Sequence, residues 1–185
     1  MKLAFAATVA LGLCWIALLG SLPVRAASVG VSLSESASIS ERLEAAIGSI
    51  APISQKLMVR RRIAQATFCL PQSMLGWLLY GFLQLSGNVL ETAEMNEVTI
   101  VVTEARVGVA LGAYIVVHKS LVRENVLRHE YGHTLQGYQH GPFYLLLEGF
   151  VSFVQASISM ISPSFAADYY NRWPENEATE LGAGA

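Results

Sequence analysis

The segment Arg128-His129-Glu130-Tyr131-Gly132-His133 constrains this chain more than any other, because its two histidines are useful together only on a helix. The spacing predicts a helix over residues 121–139. On it, His129 and His133 project from one face a single turn apart, so both imidazoles reach one tetrahedral metal ion. Glu130 follows the first histidine, where its carboxylate faces a water held by the metal and can take its proton. Nitrogen donors in this pattern point to one Zn2+ ion. Gly132 costs a helix about 1 kcal/mol relative to alanine, so it marks close packing against another element. The bland alternative is two surface histidines. Only four histidines occur in 185 residues, and two of them form this pair, which favours the metal reading.

A zinc site of this kind needs a third protein ligand, and three candidates lie downstream. His140 would suit a motif in which a glycine turn returns a third histidine, but that pattern wants glycine at 136 and histidine at 139, and Gln136 and Gln139 stand there. Glu148 interrupts the apolar run from Phe143 to Val151, where an unpaired carboxylate is costly to bury. A metal, an arginine, a helix N-terminus or solvent would each satisfy it. Glu175 lies in Asn171-Arg172-Trp173-Pro174-Glu175-Asn176-Glu177-Ala178-Thr179.

That last segment, with the His129–His133 motif, resembles the gluzincin metallopeptidases, and within them the minigluzincins and the HtpX-like or CAAX-prenyl-protease-like group. In these, HExxH is followed by a helix bearing Arg-x-x-Glu-x-x-Ala-Asp. Arg172, Glu175 and Ala178 match in register, whereas Thr179 replaces the aspartate and Asn171 the preceding serine. The resemblance implies that Glu175 is the third zinc ligand, and the departures bear on the hydrogen bonding behind the ligands. A looser likeness joins the chain to bacterial proteins with Leu-Pro-Gln, here residues 70–72, and His-Glu-Tyr-Gly-His-Thr-Leu-Gln followed by Gly-Pro-x-Tyr-Leu. The match spans residues 70–182, and is strong only around 128–144 and 171–182. It also implies that the strand before the zinc helix, residues 112–117, pairs with extended substrate.

Residues 98–103 and 107–117 are rich in β-branched side chains and read as two adjacent antiparallel strands. Residues 74–85 read as an apolar helix, buried or re-entrant, and residues 143–161 as a second apolar segment of membrane-spanning length. The expected fold is α+β: a small antiparallel sheet packed on the zinc-bearing helix, with additional apolar helices.

With 53% hydrophobic and 14% charged residues and a mean hydropathy of +0.44, the chain is more apolar than an ordinary soluble domain, which implies export or a membrane. Part of the excess is N-terminal. Lys2 precedes an apolar run over residues 3–19, and Val24-Arg25-Ala26 offers a cleavage site, so residues 1–26 read as a signal peptide or membrane anchor. Residues 27–50 read as a leader, with helical spacing of Ile39, Leu43, Ile47 and Ile50, and residues 51–185 as the metallopeptidase-like domain. After cleavage Cys69 is the sole cysteine, which excludes an internal disulfide, and its apolar neighbours suggest a buried thiol.

A net charge of −2 with no dense basic face excludes a nucleic-acid partner. Arg60, Arg61 and Arg62 read as a solvated helix face or a contact for anionic lipid headgroups. Tyr169 or Tyr170 could donate to an oxyanion, His118 reads as a local hydrogen-bonding residue, and Trp77 and Trp173 as core or interfacial anchors. The expected function is zinc-dependent hydrolysis of a peptide or protein substrate by an exported or membrane-associated enzyme. The alternative is a membrane-associated, metal-binding structural protein that cleaves nothing.

Overall fold

The computed structural model describes residues 37–185; the signal-peptide or anchor segment, Cys14 and most of the leader lie outside them. The elements in order are α1 (Ile39–Gly48), α2 (Gln55–Ala66), α3 (Leu70–Leu85), β1 (Val89–Met95), β2 (Val98–Thr103), β3 (Gly108–Leu111), β4 (Tyr114–His118), α4 (Glu124–His140), a π-helical turn (Leu145–Gly149), α5 (Phe150–Ile161), α6 (Pro163–Ala167) and α7 (Glu175–Ala183). The protein is α+β, with a four-stranded sheet among helices.

The sheet is mixed, with strand order β1-β2-β4-β3. The expected antiparallel pairing of 98–103 with 107–117 is corrected: the second stretch breaks at Gly112 into a β3–β4 hairpin, and β4 runs parallel to β2. Gly112 makes the break possible. Its φ of +59° lies where side-chain-bearing residues are strained, and a methyl group there would fall 2.6 Å from the Ser73 backbone nitrogen. β1, antiparallel to β2, completes the sheet and went unread because Glu91 and Glu94 interrupt any apolar alternation along it.

β2 carries consecutive apolar residues, Ile100, Val101 and Val102, because both of its faces are covered. Val98, Ile100 and Val102 join Leu43, Ile115 and Leu127 in a core under α1 and α4. Val101 and Val116 meet Leu79 and Leu83 of α3 on the opposite face. Each such side chain contributes about 1.5–3 kcal/mol through burial, so this strand anchors both layers.

Two features differ from the sequence reading. Ser38 caps α1 in a reciprocal pair with Glu41, and Leu43, Ala46 and Ile50 are buried, so the folded unit includes residues placed with the leader. Helix α3 is not buried all round: Gln72, Gly76, Leu79 and Leu83 face inward, while Met74 and Trp77 are exposed. Among the described residues no single helix is long and apolar enough to cross a membrane. Glu124–Phe143 and Leu145–Ile161 meet that measure only as a pair, bent by 110°.

Candidate metal centre

Helix α4 buries Leu127, Glu130, Tyr131, Gly132, His133, Thr134, Gln136 and Gly137, a wide face that contains as much polar as apolar chemistry. Its main partner is α7, and the two backbones touch. A methyl group at Gly132 would lie 1.8 Å from the Ala178 carbonyl oxygen, and one at Gly182 would lie 1.9 Å from that of Arg128. Reciprocal glycines therefore let the helices cross closer than side chains allow. Ala178, fully buried at the crossing, completes the set of small residues.

That crossing brings His129 and His133 of α4 against Glu175, the first residue of α7. Glu175 Oε2 lies 3.0 Å from His129 Nε2 and 3.5 Å from His133 Nε2. The imidazole rings are 4.8 Å apart at 83°. One ligand atom from each of the three residues lies within 4.8 Å of the other two, close enough to hold one metal ion. The opposite carboxylate oxygen, Oε1, accepts from Ser152 Oγ of α5 at 2.5 Å.

The outer nitrogens decide what the inner ones can do. Thr179 Oγ1 donates to the Glu175 carbonyl at 2.9 Å, so the oxygen left facing His129 Nδ1 at 2.9 Å is an acceptor. Gln136 donates through Nε2 to the Pro174 carbonyl and to Glu177 Oε2, at 2.9 and 2.8 Å, so its Oε1 accepts from His133 Nδ1 at 2.8 Å. Each neutral ring then carries its proton on Nδ1 and presents a bare Nε2 lone pair to a carboxylate oxygen. Three electron-pair donors then face one another, which a shared metal ion makes favourable; without an ion, protons on the two Nε2 atoms turn the same contacts into hydrogen bonds to Glu175. The donor set of two imidazoles and one carboxylate fits zinc chemistry.

Electrostatics follow the same geometry. Burial would raise the Glu175 carboxyl, but hydrogen bonds from His129, His133 and Ser152 outweigh it and hold it well below the usual range. Burial would lower His133, and Glu175 with Glu130 more than reverses that. Glu130, also buried, is pushed above the ordinary carboxylate range by burial, against the pull of both histidines. It faces the edge strand: a methyl group at Gly108 of β3 would sit 3.3 Å from its Oε1. The Tyr170 ring stands edge-on to His129 at 5.2 Å, with Tyr169 packed edge-on behind it at 5.0 Å.

The other candidates lie elsewhere. Glu148, in the π-helical turn, is buried against His140, with 2.6 Å between Oε1 and Nδ1, so these two candidates pair with each other, away from His129 and His133. Arg172 pairs with Asp168 at 2.9 Å and stacks over the Phe165 ring. His118 accepts from the Ser120 amide. Residues 112–117 are not free to pair with an extended substrate as expected, because β4 is hydrogen-bonded on both sides; the edge strand beside Glu130 is β3. Sequence reasoning missed Ser152, Glu177 and the role of Gln136. Only Gln136 left a signal, since a residue three places after His133 shares its helix face.

No family model, curated protein or solved structure matches this chain.

Proposed function

We propose that the chain is a small zinc metallopeptidase of the gluzincin type, exported or held at a membrane, that hydrolyses a peptide bond in a peptide or protein substrate. One observation carries the reading: two Nε2 lone pairs and a carboxylate oxygen converge, with Glu130 from the same helical turn beside them. His129, His133 and Glu175 would hold the ion. When bound, zinc supplies Lewis acidity that polarises a carbonyl and brings the pKa of water down towards about 7.

The chain's own groups do the rest. Glu130 accepts a proton from the attacking water at its carboxylate and delivers it to the leaving amine. The outer edge of β3 pairs with an extended substrate backbone, and Gly108 leaves room between that strand and Glu130. Tyr170, whose ring stands edge-on to His129, or Tyr169, whose hydroxyl interacts with Ser152 and Glu175, supplies the donor for a developing oxyanion.

The test is Glu130→Gln, assayed on a fluorogenic peptide library with zinc content measured in parallel. The reading expects zinc to be retained and turnover to fall by about 10²-fold or more. Full turnover in the variant would remove Glu130 as the base. Retained zinc with no hydrolysis by the wild type would favour a metal-binding structural protein.

A further inference from the structure

The outward faces of α3 and α5 carry side chains ill suited to water. In α3 the buried stripe includes Gln72 and Gly76, whereas Leu70, Met74 and Trp77 point outward at helical spacing, Trp77 being 60% exposed. A second stripe runs through Phe143, Leu147, Phe150, Val154, Ile158 and Ile161, all exposed, and α5 buries none of its twelve residues. The stripes meet where the Phe68 ring lies against Gly141 and Gln72 donates to the Gly141 carbonyl at 3.0 Å. Single exposed apolar residues need no explanation, but contiguous stripes of this extent mark a surface that is covered in use.

The charge around the stripes indicates what covers them. Residues 45–90 contain no Asp or Glu but carry Lys56, Arg60, Arg61 and Arg62. Arg61 turns inward onto Glu97, while Lys56, Arg60 and Arg62 are exposed and make no ion pair among the described residues. Arg60 also borders an open groove of about 400 Å³ floored by Leu57, Ala64, Leu135 and Tyr138 of α2 and α4. Exposed cations on α2, followed on α3 by an exposed tryptophan among apolar side chains, complement an anionic bilayer: headgroups meet the cations, and the aromatic ring sits at the boundary. A second copy of the same face would oppose like charges.

We propose that α2, α3 and the outer stripe of residues 143–161 form a docking face for an anionic phospholipid surface. The proposal goes beyond the peptidase reading and stands without it. The N-terminal apolar run, read as signal peptide or anchor, brings the chain to a bilayer by either route. Ser152 of α5 donates to Glu175, so the metal centre lies one helix away from the lipid.

The test uses the full chain with Trp15→Phe and Trp173→Phe, leaving Trp77 as the only tryptophan. Its fluorescence is read with phosphatidylcholine vesicles brominated in the acyl chains, with and without about 30 mol % phosphatidylglycerol. The expected result is quenching of Trp77 by the anionic vesicles, reduced roughly fivefold or more when phosphatidylglycerol is omitted or in Arg60→Glu/Arg62→Glu. Because Trp77 reports only its own face, an N-terminal anchor does not mimic this. Glu130→Gln should quench like the wild type, which separates docking from catalysis. Unquenched Trp77, quenching indifferent to lipid charge and to the arginine reversals, or a dimer in sedimentation that shields Trp77 would overturn the proposal.

Discussion

The imidazole of His129 is oriented by Thr179: Nδ1 and Oγ1 lie 2.9 Å apart, and the threonine's own proton is committed to the Glu175 carbonyl. The resembling family carries an aspartate at this position. A neutral hydroxyl gives the same orientation without the added negative charge. Thr179→Val should therefore weaken zinc binding by about 10- to 100-fold, with Thr179→Ser close to the wild type. Competition with a chelator of known affinity measures both, and unchanged affinity in Thr179→Val would remove Thr179 from the site.

The crossing of α4 and α7 leaves no space for a side chain on either glycine. Gly132→Ala and Gly182→Ala each drive a methyl group into a backbone carbonyl, which cannot yield as a side-chain tip does. Each should cost about 3 kcal/mol or more, the upper end for overpacking, and should lower zinc affinity because Glu175 rides on the same helix. Thermal unfolding with zinc titration reads both effects. Gly48→Ala, with open space around its Cβ, serves as the comparison and should be near neutral.

The helix that carries His129, Glu130 and His133, the shared face of its two histidines and the α+β class were legible because helical spacing and residue chemistry are local properties. Glu175 was reached through resemblance and not through spacing, since the contact joins residues 46 positions apart. The groups that hydrogen-bond behind the ligands were mostly hidden for the same reason: Ser152 and Glu177 reach the centre from helices whose packing no local pattern encodes. Sheet pairing failed at Gly112, because β-branched composition marks a strand but not its direction, and the turn that reverses it rests on one positive φ. Residues 74–85 misled because their outward face is apolar, which periodicity cannot distinguish from burial.

The arginine run separates by depth. Arg61 Nη1 lies 2.9 Å from Glu97, whose side chain is fully buried and also accepts from Tyr131 Oη at 3.1 Å. Arg61→Met leaves that carboxylate uncompensated and should cost about 3–5 kcal/mol in urea unfolding. Arg60→Ala and Arg62→Ala, both on the surface, should stay within about 0.5 kcal/mol. Equal costs at all three positions would contradict the burial of this pair.

Tyr131 ties the same network to alkaline stability. Burial first, and then Glu97, push its phenol up to about 12 from an ordinary 10.0. A folded pKa above the unfolded one gives a contribution that is complete below pH 10 and lost as pH rises through about 12. Unfolding free energy should therefore fall between those values, and Tyr131→Phe should flatten the decline by about one proton's worth of slope. A slope unaffected by the substitution would place the alkaline transition in other groups.

The central claim is that His129, His133 and Glu175 hold one ion, and zinc content tests it most directly. Purified full-length chain is compared with His133→Ala, Glu175→Ala and Glu148→Ala by atomic emission. The account predicts about one zinc per chain, lost with His133→Ala and Glu175→Ala and kept with Glu148→Ala. Zinc absent from the wild type, or kept without Glu175 and lost without Glu148, would contradict it.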